Sequence, residues 1–400
     1  MTAQITALRD RVGFGTILLF TMAVATLLHF AIGVISPFLQ EEFSLSAVQL
    51  GVLGTVNNGV AAIGAPFVGS VVDSLGGRRV ATLLILLSGV SIIGFGLAPN
   101  YWLLILMTGL NGLAAAGSNP ATNHLVSIHI PGGRRGWLMG VKQSGVRAGQ
   151  FLAGLLLPIG ALAIGWRSTM VVTGLICLVG IAGVFLAIPS SVPTGRREGG
   201  ESGKRAPLGT MVWRLASYAV LMGTGMSALL LYLPLYSINR LGLSIQEAGL
   251  TVGLIGFIGI FARIVSGPMA ERFPSSSIPL FIMAMGSVIG AVSIWAAESA
   301  GVALVWIGVI ALSLTGAVWN TVANYAIISE IPESRTGRAS GVLHTGYLAG
   351  LAIGPLVFGT VIDRSGSYGL AWLGVSLLFL LAASVAVRWW VQDRPRLQVR

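Results

Sequence analysis

PGGRRGWLMGVKQSGVRAG (residues 131–149) and PESRTGRASGVLHTGYLAG (residues 332–350) align at an offset of 201 residues. Pro131, Arg134, Gly136, Gly140, Val141, Gly145, Ala148 and Gly149 meet Pro332, Arg335, Gly337, Gly341, Val342, Gly346, Ala349 and Gly350, and Ser144 meets Thr345. The same offset carries Asn119 and Asn123 onto Asn320 and Asn324. Gly and Ala matches arise easily by chance; a shared Pro, a shared Arg and two shared Asn at one offset do not. The chain therefore reads as a duplicated unit.

Outward from the repeat the sequence is apolar, 54% hydrophobic and only 9% charged over 400 residues. That is too little charge to coat a globule in water. A bilayer core of about 30 Å takes roughly 20 mostly apolar residues per helix. The apolar runs predict twelve spans, near residues 13–37, 48–72, 79–98, 101–126, 137–162, 168–188, 209–237, 246–270, 278–297, 302–328, 337–362 and 368–391. The first run is too long for the apolar part of a cleaved signal peptide and no small-residue cleavage pattern follows it, so it is read as a span of a chain that begins at or near Met1. Between the two sets of six lies PSSVPTGRREGGESGKRAP (residues 189–207), rich in Gly, Ser, Pro and charge, which reads as a linker. The expected fold is all-α and membrane-embedded, with a six-helix bundle over 1–188, a cytoplasmic linker over 189–208 and a pseudo-symmetric six-helix bundle over 209–400.

The net charge of +11 is explained by orientation. With both termini in the cytoplasm, Arg9, Arg11, Arg78, Arg79, Arg134, Arg135, Arg214, Arg272, Arg335, Arg338, Arg388, Arg394, Arg396, Arg400 and the linker cations fall on or beside the cytoplasmic side, whereas Arg167, Arg240 and Arg364 fall outside. The positive-inside rule turns that bias into a topology and removes the need for a nucleic-acid partner. The lone Cys177 lies in the sixth run and excludes an intramolecular disulfide.

After the second run comes GSVVDSLGGRR, with Gly69, Asp73, Gly76, Arg78 and Arg79; after the eighth comes GPMAERF, with Gly267, Glu271 and Arg272. The first resembles the signature between helices 2 and 3 of the major facilitator superfamily, and the second its weaker copy in the other half. The resemblance, which covers the chain from end to end, implies a cytoplasmic latch in which these residues hold two bundles together in one state and release them in another. A carboxylate at a helix end beside a basic turn suits that role through charge-assisted hydrogen bonds. Thr108 or a neighbour stands where many relatives carry a helix 4 arginine, a departure from the usual proton-antiporting drug exporters. More loosely, KQSGV and the fourth, fifth, tenth and eleventh runs resemble the bacterial carriers of cyanate, nitrate and monocarboxylates.

Ionisable groups inside the bilayer are costly and mark function by default. Here they have one sign: Arg147, Lys142 and Arg263, with all thirteen acidic residues at ends or in loops. Arg147 lies ten residues past Trp137, hence about 15 Å deep at 1.5 Å per residue. Gln143, Arg147 and Gln150 form a polar stripe opposite Gly145 and Gly149. Gly346 and Gly350 repeat the small-residue spacing, and His344 takes the place of Gln143. Arg147 is read as the counter-charge of an anion or as a strut bonded to backbone carbonyls. Lys142 and Arg263 either join it or snorkel to the surface. The resemblance implies that the fourth and tenth helices line the cavity; Asn119, Asn123, Asn320 and Asn324 there offer amides to a ligand or bind helices together. His29 and His124 are candidates for proton coupling, since histidine titrates near neutrality.

These residues predict a secondary active transporter of a small organic or inorganic anion in the cytoplasmic membrane, acting as a monomer on its solute within lipid, with no cofactor, no metal and no catalytic residues. The alternative within transport is efflux of drugs or amphiphiles. A membrane-embedded enzyme would need a nucleophile, metal or acid/base cluster, and H-E-x-x-H, G-x-S-x-G and paired carboxylates are absent from the sequence; a receptor that binds without transport is the remaining reading. The dinucleotide-like GTGMSA (residues 223–228) lies inside an apolar helix with no preceding strand and is set aside.

Overall fold

A computed structural model describes residues 8–130, 132–188 and 208–397; the linker lies outside this set apart from Leu208. Among the described residues the chain forms thirteen helices: α1 Leu8–Phe43, α2 Ala47–Leu75, α3 Gly77–Gly96, α4 Tyr101–His129, α5 Gly132–Ile164, α6 Trp166–Ala187, α7 Thr210–Asn239, α8 Ile245–Glu271, α9 Ser277–Ala300, α10 Ala303–Leu314, α11 Trp319–Glu330, α12 Glu333–Ser365 and α13 Tyr368–Leu397. Eleven stretches among the described residues are long and apolar enough to cross a membrane, with Ala303–Glu330 counting as one.

The continuous tenth helix expected over 302–328 is instead broken between α10 and α11. Ala317 N donates to Leu312 O, five residues back, at 2.9 Å, which opens a wider turn in the ladder. Gly316 sits against Met226 Sδ, where an added Cβ would lie 2.6 Å away. Thr315 Oγ1 donates to Ala311 O at 2.6 Å and meets Ser287 Oγ at 3.3 Å.

By internal contacts the chain divides into two compact units, Met1–Phe38 with Val56–Arg205 and Leu39–Thr55 with Ala206–Arg400. In the first, α3 packs on α4 and α6, and one core joins Phe14, Leu18, Ile85, Leu125, Leu138 and Val184. α6 shows how the lipid solvent is accommodated: Met170, Gly174, Cys177 and Val184 are buried, while Val179 and Leu186 stay 70% and 89% exposed. Apolar exposure on that scale marks a surface made for something other than water.

α5 approaches α1 through glycine. A Cβ on Gly145 would lie 2.1 Å from Leu19 O and one on Gly149 2.9 Å from Ala23 O, so no larger residue fits. In the second unit α12 rests on α7 in the same manner, with Gly346 over Ala216 O, Gly350 over Val220 O and Gly354 over Thr224 O. The same unit holds the start of α2. Asp363 accepts from Ala47 N and Val48 N, both at 2.9 Å, placing a carboxylate at the positive end of a helix. Tyr232 Oη lies 2.6 Å from Ala47 O and 3.0 Å from Pro355 O, within donating distance of both.

Candidate functional site

In the first unit a polar cluster draws on three helices. Arg147, near the middle of the 33-residue α5, is only 7% exposed and donates from Nη1 to Gln150 Oε1 at 2.6 Å. On α1, which packs against α5 through Gly145 and Gly149, His29 Nδ1 lies 3.3 Å from Asn58 Nδ2 of α2. The glycine contact described above is what brings α1 to α5, so the packing face of α5 positions the chemistry of its other face. Behind the cluster Asn57 Nδ2 donates to Thr108 O and Asn111 Oδ1, each at 3.1 Å, tying α2 to α4. Sequence reading missed Asn57, Asn58 and Asn111. Adjacent amides inside an apolar run were the available signal.

Lys142 does not snorkel to the surface. It is fully buried, and its Nζ donates to Thr122 Oγ1 at 3.0 Å, to Asn119 Oδ1 at 3.2 Å and to Asn123 Oδ1. Gln143 Nε2 donates to the same Asn119 Oδ1 at 3.1 Å. The α4 amides therefore serve a lysine of their own unit. His124 lies beside Gly77 at the start of α3.

In the second unit Arg263 Nη2 donates to Asn320 Oδ1 at 3.2 Å, and Asn324 Nδ2 donates to Asn320 O of its own helix at 2.7 Å. His344 is exposed, with its ring 6.5 Å from that of Tyr347, which in turn meets Trp319 edge-on at 5.5 Å. Trp319 opens α11 just past the helix break, and this aromatic run was also missed from sequence.

Of the latch residues, the side chain of Asp73 and the surroundings of Gly69 lie outside the described set. Gly76 caps α3 with φ of 81°, a left-handed conformation that favours glycine. Arg78 Nη2 donates to Phe185 O at 3.2 Å and its guanidinium lies 4.8 Å from the Phe185 ring centre. Arg79, Glu271 and Arg272 are exposed, and Gly267 stands 4.0 Å from Thr321 Cγ2 as measured from an added Cβ. Among the described residues no group of three His, Cys, Asp or Glu converges on a metal site.

The family model of the Major Facilitator Superfamily matches residues 18–343. A probable sulfoacetate transporter of Cupriavidus necator is 24% identical over 377 residues, 86% of this chain and 85% of that one. A hexuronate transporter of Bacillus subtilis is 24% identical over 394 residues, covering 90% and 89% of the two chains. Among solved structures, a bacterial homolog of the human lysosomal transporter Spinster superposes with a TM-score of 0.76 at 16% identity, over 97% of this chain and 99% of that one. With its apolar helices and a match over most of its length, the chain belongs to the Major Facilitator Superfamily, as a multi-pass membrane transporter of small solutes and not an enzyme.

Proposed function

We propose that this protein is a secondary active transporter that moves a small organic anion across the cytoplasmic membrane by alternating access, with Arg147 as the anion's counter-charge. Both termini lie in the cytoplasm, on the strength of the arginine distribution, and the protein works as a monomer. The observation that carries the reading is the placement of charge. Arg147 is buried mid-helix with Gln150 as a hydrogen-bond partner, and the neighbouring α1 carries His29, itself beside Asn58 of α2. The acidic residues of the described helices sit near helix ends, as Glu41, Glu247, Glu271, Glu330 and Asp363 do. A guanidinium offers two parallel donors to a carboxylate or sulfonate. The names of the two relatives, for sulfoacetate and hexuronate, point to the same class of solute.

A thermal-shift series on purified protein tests the reading, because a ligand that binds only the folded state raises its apparent stability. Sulfoacetate or glucuronate should raise the transition temperature in proportion to the logarithm of its concentration, and tetraphenylphosphonium should not. Stabilisation by the lipophilic cation alone would replace the anion reading with efflux of cationic amphiphiles.

A further inference from the structure

Lys142 is a buried cation that the anion site does not use. Its three partners are neutral oxygens on successive turns of α4: Asn119 Oδ1, Thr122 Oγ1 and Asn123 Oδ1. Thr122 places its own hydroxyl proton on Ser118 O, at 2.6 Å, so toward the lysine it acts as acceptor. Three acceptors match the three N–H bonds of an ammonium and exceed the two of a neutral amine. The cradle is therefore complete only for protonated Lys142.

The surrounding helices bring no described carboxylate to it. α1 contributes Met22, which touches Thr122; within its apolar stretch the titratable group is His29, 3.3 Å from Asn58, and its carboxylates Asp10, Glu41 and Glu42 lie at the two ends of the helix. On α4, His129 is held at Leu125 O and against Phe14, and His124 lies beside Gly77. α5 itself adds Arg147, and α6 adds Arg167, whose Nη1 donates to Gly96 O. A cation stripped of its oxygens in such a place would be a bare charge in a low dielectric, and loss of the proton relieves it.

Residue choice points the same way. Lys142 and Lys204 are the only lysines in the sequence; every other basic residue apart from histidine is arginine. Arginine keeps its proton under all physiological conditions, whereas a buried lysine exchanges one readily. The chain thus places a fixed cation at 147 and an exchangeable one at 142. Asn123 is exposed while Lys142 is buried, which gives the proton a way out. Asn119, shared with Gln143, connects the cradle to the helix face that carries Arg147.

We propose that Lys142 is the proton carrier of the transport cycle: seated in the α4 cradle it holds a proton, and when Asn119 and Asn123 draw away the proton passes to water while the electron pair stays on Nζ. This rests on the reading of the protein as a secondary transporter of an anion. It couples the proton to the site through Asn119 and Gln143 and assigns Lys142 no contact with the solute.

Two measurements separate this proposal from that reading. In protein labelled with isotopic nitrogen in lysine and carrying Lys204→Arg, Lys142 gives the only lysine side-chain resonance. Its protonation should follow pH over the range in which the protein is active, and a resonance that stays in one form throughout that range overturns the proposal, whatever the solute. In proteoliposomes loaded with a pH-sensitive dye, sulfoacetate or glucuronate should carry protons in with the wild type. Lys142→Met should abolish the proton flux per anion moved. An unchanged ratio in Lys142→Met, or a wild type that moves the anion without protons, contradicts the role of Lys142 and leaves the anion reading standing. Failure of both anions to move would count against the anion reading, and the lysine resonance would still decide the fate of Lys142.

Discussion

α5 and α12 are copies of one helix, each 33 residues long and starting 201 residues apart, yet only one face was kept. Gly145 and Gly149 press on the backbone of α1 as Gly346 and Gly350 press on that of α7. On the remaining faces Lys142, Gln143, Arg147 and Gln150 stand where α12 has Leu343, His344, Leu348 and Leu351. Duplication preserved the packing, which a single larger side chain would wreck, and let the chemistry diverge. The amides show the same division: Asn119 receives Lys142 from α5, whereas its counterpart Asn320 receives Arg263 from α8. The charge that meets the amide is thus carried by different helices in the two units.

The largest expected effect tests the shared face. Gly145→Ile and Gly350→Ile should each cost at least ~3 kcal/mol, since overpacking here must displace backbone and not a side chain. Both should lose the monodisperse peak in size-exclusion chromatography, and a tolerant Gly350→Ile would show that the two faces are not equivalent. Next comes transplantation of the charge. Leu343 is buried and Asn320 is already engaged by Arg263, so Leu343→Lys should destabilise the fold by roughly 3–5 kcal/mol as an uncompensated buried cation, visible as a fall in transition temperature. A smaller loss is expected for Asn119→Ala, about 1–3 kcal/mol, because Lys142 and Gln143 share that acceptor. Asn320→Ala should cost less in the same assay, Arg263 being only half-buried. Asp363→Asn, which keeps the shape but removes the charge at the start of α2, should cost ~0.5–1 kcal/mol, measurable as a small shift in the same transition.

The helices and the repeat were legible because apolar runs of membrane length and a fixed offset are properties of the chain itself. The glycine faces were legible for the same reason, since spacing along one helix fixes what shares a side. The break at 315–318 was not: threonine and glycine are common in unbroken membrane helices, and here Met226 and Ser287 of other helices touch Gly316 and Thr315. Asn119 and Asn123 read from sequence as ligand amides or as ties between helices, and the structure has them tie α4 to α5; that the tie is Lys142, which reads as a ligand contact or a snorkelling residue, was not legible. Their meeting depends on how α4 and α5 are rotated against one another, which no single-helix pattern specifies. Asn57 and Asn58 lie outside the repeat that marks Asn119, Asn123, Asn320 and Asn324, so no second copy draws attention to them.

The central claim is that Arg147 grips the anion, and ligand-dependent stabilisation of Arg147→Ala and Arg147→Lys in detergent tests it most directly. Truncating one partner of a buried, hydrogen-bonded charge pair costs about 2–5 kcal/mol of binding, roughly 30-fold to several thousand-fold in affinity. Arg147→Ala should therefore show no shift with sulfoacetate or glucuronate at concentrations that stabilise the wild type. Arg147→Lys, keeping charge without the planar fork, should bind only weakly. If Arg147→Ala is stabilised by the same anion at the wild-type concentration, Arg147 is a strut of the first unit and the account of the site is wrong.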